Sequence, residues 1–101
     1  MKKLLTITAT AIFIAAATTA MAASGPELFK QHCAACHPDG GNIINPKHPL
    51  QKKHLEQQGI KNWKGIVKAM RNPGAGMTKF DQKSVSDKDA KAIAEYILKT
   101  F

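Results

Sequence analysis

The chain of 101 residues is poor in several things, and each shortage removes a class of function. It has two cysteines, Cys33 and Cys36, so no disulfide framework is available. A single bridge between them would close a tiny loop and staple almost nothing. No second pair of cysteine or histidine ligands stands at metal spacing, which leaves a structural zinc site unsupported. No strand pattern of alternating apolar and polar residues appears in residues 23–101, and no βαβ pattern surrounds the cysteines, so a thioredoxin-like thiol pair lacks its setting. There is no paired carboxylate, no serine–histidine arrangement and no phosphate-binding glycine loop. The apolar run Leu4–Ala17 is short of the roughly 20 residues a membrane span requires. Acidic residues are scarce, 7 against 15 lysines and arginines.

The first residues read as an export signal. Met1-Lys2-Lys3 is a short basic start, Leu4–Ala17 is apolar, and Ala20-Met21-Ala22 is a small-x-small cleavage site before Ala23. No cysteine stands at that site to carry a lipid anchor. Residues 1–22 are therefore expected to be a cleaved signal peptide, and residues 23–101 a single periplasmic domain without stable membrane insertion. Removal of Lys2 and Lys3 leaves 13 basic residues against 7 acidic ones, a net charge of +6. Export argues against nucleic acid as the partner, and no basic run is longer than a pair such as Lys52-Lys53. Most of the lysines read as solvated helix faces; those that do act suit an acidic protein surface. A domain of 79 residues has a marginal core and is expected to need a staple.

Cys33-Ala34-Ala35-Cys36-His37 supplies one. C-x-x-C-H is the attachment signature of a c-type haem. Two thiols separated by two residues suit the two vinyl groups of one haem. The histidine that follows brings an imidazole under the iron as proximal ligand. The cofactor expected is one haem c, covalently bound.

Ser24, Pro26 and Glu27 predict a helix start, with Leu28, Phe29, His32, Cys33 and Cys36 at helical spacing and a stop near His37, because Pro38 follows. Pro38 to Pro49 reads as a loop, one of whose carbonyls is expected to bind His37 Nδ1–H. A second helix is expected from about Pro49 to Gln58, with Gly59 past its end. Asn62 caps a third, with Trp63, Ile66, Val67 and Met70 on one face, ended by Asn72-Pro73. Pro73–Met77 is a glycine-rich loop. Ser86 caps the last helix, with Asp87 and Asp89 in its first turn and an apolar stripe of Ala90, Ile93, Ala94, Ile97, Leu98 and Phe101.

With these residues in this order, the chain resembles the small class I monohaem cytochromes c, in their cytochrome c6-like branch. Gly25-x-x-Leu28-Phe29 ahead of the haem motif, Met77 with Phe80, and Ser86-Asp87 leading to Ala94-x-Tyr96-Ile97 carry the resemblance over nearly the whole of residues 23–101. It implies an all-α fold of four to five short helices wrapped around the haem, with the first and last crossing near Gly25, Phe29, Ile93 and Tyr96. It also implies Met77 as the distal iron ligand and a haem-proximal glutamine in the second helix, for which Gln51 is the candidate. Thr78 departs from the family, where many members carry proline after the ligand.

Position separates the possible sixth ligands. Met1 and Met21 leave with the signal, and Met70 falls on a helical core stripe. Met77 lies in a loop with helices on both sides, while His48 and His54 are the rivals on a lysine-rich segment. His32 precedes Cys33 directly and is not expected to reach the opposite face. Trp63 reads first as core and second as a haem-edge contact. The reading that follows is a monomeric one-electron carrier with His37/Met77 ligation, not an enzyme, meeting redox partners that are acidic where they dock. A haem-based gas binder or sensor and a small peroxidase, each with an open or labile distal site, are the competing readings.

Overall fold

The computed structural model describes residues 8–12 and 23–101. Most of the expected signal segment, including the cleavage site Ala20-Met21-Ala22, lies outside the described residues. Among them there is no strand, and no helix is long and apolar enough to cross a membrane. Among the described residues four α-helices follow one another: α1 Gly25–His32, α2 Lys52–Gln57, α3 Trp63–Arg71 and α4 Asp87–Thr100. A short 3-10 turn at Pro38–Gly40 interrupts the loop after α1.

Side chains at three helix starts set their boundaries. Ser24 Oγ accepts from the Glu27 N–H at 3.5 Å, Asn62 Oδ1 from Lys64 and Gly65, and Ser86 Oγ from Asp89. Each satisfies an N–H that the helix itself leaves unpaired. The second helix begins later than the position of Pro49 suggests. Leu50 N–H donates to the Gly40 carbonyl at 2.6 Å, which holds Pro49-Leu50 in the loop, and Gln51 becomes the residue before the first turn.

The first helix ends five residues earlier than expected. Cys33 (φ −124°) leaves helical geometry, and the N–H groups of Cys33 and Ala34 both donate to Phe29 O, at 2.8 and 2.9 Å. Cys33 to Cys36 then form a tight turn closed by His37 N–H to Cys33 O at 2.9 Å. The thiols are thus carried by a turn at the end of the helix, not by the helix.

The core joins α4 to α1 and α3. Ala90, Ile93, Ala94 and Ile97 are buried against Leu28, Phe29, Ile66, Met70, Leu55 and Val85. The α1–α4 crossing is close enough to demand glycine, since a Cβ on Gly25 would lie 2.6 Å from Ala92 O and 3.0 Å from Tyr96 Cβ. Phe29 meets Tyr96 and Phe101 with ring centroids 5.4 Å away in both cases. These contacts close one side of the molecule and leave its other side, between the 33–58 segment and the 74–80 loop, for the site.

Candidate haem site

Two adjoining cavities, of about 100 and 330 Å³, share Cys33, His37, Asn42 and Met77 in their walls. Cys36 lines the smaller one. The larger is walled mainly by apolar groups, among them Leu50, Leu55, Ile60, Ile66, Met70 and Ile97. Among the described residues, no buried side-chain nitrogen or oxygen lacks a hydrogen bond. The space therefore suits a large apolar plate better than a polar substrate.

His37 is held from one side. Its Nδ1 is 2.7 Å from the Gly41 carbonyl, which accepts its proton, and the residue is 8% exposed. The turn makes this geometry: Asp39 (φ 52°) and Gly40 (φ 77°) are successive left-handed residues that reverse the chain. Asparagine and aspartate tolerate that region, and glycine enters it freely. With Nδ1 engaged, Nε2 carries the lone pair available to a metal. Sequence reasoning expected such a carbonyl without naming it.

Cys33 and Cys36 form no disulfide, so both thiols are available for haem attachment. Burial pushes the Cys33 thiol up to about 11. Before attachment it is therefore protonated at neutral pH, the opposite of the low thiol pKa that a thioredoxin-like pair needs.

Met77 stands on the loop after α3, 38% exposed, its N–H donating to Gly74 O at 3.4 Å. Beyond it the chain is tied down. Phe80 N–H donates to Met70 O at 3.0 Å, and Arg71 Nη1 donates to the carbonyls of Phe80 (3.1 Å) and Val85 (2.8 Å). Arg71 Nη2 pairs with Asp87 Oδ1 at 2.8 Å. Sequence reasoning missed Arg71. One signal was available: it is the only arginine in a chain that otherwise uses lysine.

Met70 is core, 4% exposed, as its helical position indicates, although it also touches the larger cavity. His48 and His54 line that same cavity but turn to each other, His48 Nδ1 lying 3.1 Å from His54 Nε2. His32 edges the smaller cavity beside Phe80. Gln51 is exposed at the start of α2 and lies in neither wall; Gln58, the residue directly after α2, lines the larger cavity instead. Trp63 is in neither wall either. The ammonium of Lys91 sits 4.8 Å from its ring centroid and that of Lys64 at 5.8 Å.

Known proteins match this arrangement. A family model described as cytochrome C oxidase, cbb3-type, subunit III, matches residues 20–97. Cytochrome c6 of Cyanidioschyzon merolae is 35% identical over 99 residues, spanning 97% of this chain and 93% of that protein. The chain belongs to the cytochrome c6-like family of small class I c-type cytochromes. Among solved structures, the outer membrane cytochrome OmcF of Geobacter sulfurreducens is 40% identical with a TM-score of 0.75, covering 77% of this chain and 99% of its own. Cytochrome c6 of the diatom Phaeodactylum tricornutum is 32% identical with a TM-score of 0.68, covering 74% and 87%.

This cytochrome carries a covalently bound haem c and is an electron-transfer protein, not an enzyme. The residues at the cavity fit that group: two free thiols two residues apart, an imidazole with one nitrogen tied back, and a thioether, all facing one apolar space.

Proposed function

We propose that this cytochrome is an exported, periplasmic carrier that passes one electron at a time between redox-partner proteins. Cys33 and Cys36 hold the haem through thioether bonds, and His37 and Met77 are the axial ligands. The observation that carries the reading is that Cys33, His37 and Met77 line both cavities, with Cys36 in the wall of the smaller. Haem c supplies the Fe(II)/Fe(III) couple, and the protein sets its potential through ligand identity, hydrogen bonding and burial.

The chain's own residues do three things. The Gly41 carbonyl orients the His37 ring and raises its basicity. The apolar wall keeps water from the redox centre, which leaves little to reorganise when charge changes. The loop from Met77 to Phe80, tied to α3, keeps a neutral thioether at the distal position, which favours the reduced state more than a second imidazole would. His48 and His54 are the poorer distal candidates because each already engages the other.

Residues 1–22 direct export and are removed, leaving a monomer of net charge +6. Lysines around the loop, Lys79 and Lys83 first, steer it to an acidic patch on the partner. Mass spectrometry of exported protein tests the attachment: one haem per chain that survives acid-acetone extraction, mapped to peptides containing Cys33 and Cys36. An apo mass, or haem lost on extraction, overturns it.

A further inference from the structure

The pair His48 and His54 has a geometry that neither covalent attachment nor axial ligation uses. The rings come from different elements, His48 from the loop before Pro49 and His54 from α2. Their centroids are 5.2 Å apart with planes at 62°. The backbone of His48 is fixed on both sides: its N–H donates to Asn45 O at 2.9 Å and its carbonyl accepts from Asn42 Nδ2 at 3.1 Å. His54 is half-buried on its helix. The approach of Nδ1 to Nε2 at 3.1 Å is therefore set by two anchored backbones.

We propose that His48 and His54 together form a two-imidazole binding site for a divalent transition-metal ion of the zinc, copper(II) and nickel(II) class. Two metal–nitrogen bonds of about 2.0–2.1 Å meeting at roughly 90–110° place their nitrogens about 2.9–3.4 Å apart. The observed separation lies inside that range, so ring rotation without backbone movement brings both lone pairs onto one ion. The ring that donates the hydrogen bond shifts its proton to its other nitrogen through solvent, and the metal takes the vacated lone pair. No oxidation or reduction is involved.

The surroundings choose the ion. Neutral imidazole suits zinc, copper and nickel, whereas magnesium and calcium need carboxylate oxygens. Lys47, Lys52 and Lys53 are exposed beside the pair, and Glu56 is the only acid on α2. A cation held by charge alone is disfavoured there, while coordination bonds are not. Among the described residues no three histidine, cysteine or acidic side chains gather at one point. Water completes the coordination, and the bound ion exchanges readily.

Both imidazoles line the cavity that also holds His37 and Met77. A dication there adds positive charge on the wall of the redox centre and favours the reduced state. By linkage the reduced protein holds the ion more tightly, by the same factor. This second part rests on the haem placement proposed above; the binding itself does not.

The holoprotein is titrated with zinc chloride by calorimetry and with copper(II) by electron paramagnetic resonance. One saturable site per chain is expected, with coupling to two nitrogens in the copper spectrum. His48→Ala and His54→Ala each weaken binding by roughly tenfold or more, the scale on which even outer partners of a metal ligand act, while His32→Ala leaves it unchanged. The midpoint potential rises with zinc, returns on chelation, and does not respond in either variant. Absence of saturable binding, or equal affinity in wild type and both variants, overturns the site. A potential that ignores bound zinc overturns its place on the redox wall.

Discussion

Arg71 makes three contacts, and their unequal worth can be measured. Its guanidinium, on a side chain 21% exposed, donates to two backbone carbonyls, Phe80 O and Val85 O, and pairs with Asp87, whose side chain is 71% exposed. Hydrogen bonds from a charged donor to partly buried carbonyls contribute about 1.5–3 kcal/mol each. An ion pair with so exposed a carboxylate contributes ~0.2–1 kcal/mol, because solvent screens it. Replacing Arg71 with Met keeps the aliphatic stem and strands both carbonyls. The two bonds share one donor group and are not additive, so the expected loss is about 2–4 kcal/mol. With a urea slope of roughly 1–2 kcal/mol per molar for a small domain, the unfolding midpoint falls by on the order of 2 M. Asp87→Ala removes the ion pair, an exposed hydrogen bond from Gln82 Nε2 (3.2 Å) and a helix-start charge, all in contact with solvent, and shifts the midpoint by less than half as much. The same Arg71 variant loosens the chain behind Met77, so with Met77 as the ligand proposed above, the sulfur-to-iron band weakens at denaturant concentrations where the helices remain intact. Equal, small effects of Arg71→Met and Asp87→Ala would refute the reasoning, since they would make the surface ion pair the whole of the contact.

Three further outcomes follow from other residues. Gly40→Ala destabilises by at least ~1–2 kcal/mol, the cost of a left-handed residue with a side chain, and more because its Cβ would lie 2.5 Å from the Phe101 ring; thermal unfolding beside Gly41→Ala, where no positive φ is at stake, checks this. The Ser84 backbone N–H holds the Asp81 carboxyl below the usual aspartate range. Asp81 therefore adds stability above about pH 4 that is lost as pH falls through its lower folded value; NMR titration of the carboxyl that found an ordinary or raised value would contradict this. Lys79→Glu and Lys83→Glu slow electron transfer to an acidic partner at low salt, and the difference fades as screening shortens the field to ~8 Å at physiological ionic strength; stopped-flow rates across a salt series read it out.

Much of this was legible in the residues because several local signals agreed. Asn62 and Ser86 cap helices whose apolar stripes begin at once, and both helices lie where cap and periodicity coincide. Gly25, Phe29 and Tyr96 meet as the family resemblance implies. The errors sit where tertiary contacts overrule local preference. Cys33 and Cys36 fall at helical spacing, yet the chain turns at Cys33 because two N–H groups share the Phe29 carbonyl. Pro49 suits a first helical turn, yet the Leu50–Gly40 bond keeps it in the loop. Val85 is 2% exposed in a segment with no periodicity to announce it. The reach of Arg71 to Val85 and the meeting of His48 with His54 join separate elements, and no spacing rule encodes either.

The distal ligand is the central claim, and optical spectroscopy of both redox states tests it most directly. Wild-type ferric protein should show a near-infrared sulfur-to-iron band, and the reduced protein should not take up carbon monoxide readily. Met77→Ala should abolish the band and open the reduced iron to carbon monoxide, and Met77→His should keep six ligands at a lower potential. A spectrum and potential unchanged by Met77→Ala but altered by His48→Ala or His54→Ala would contradict the account and make the ligand a histidine.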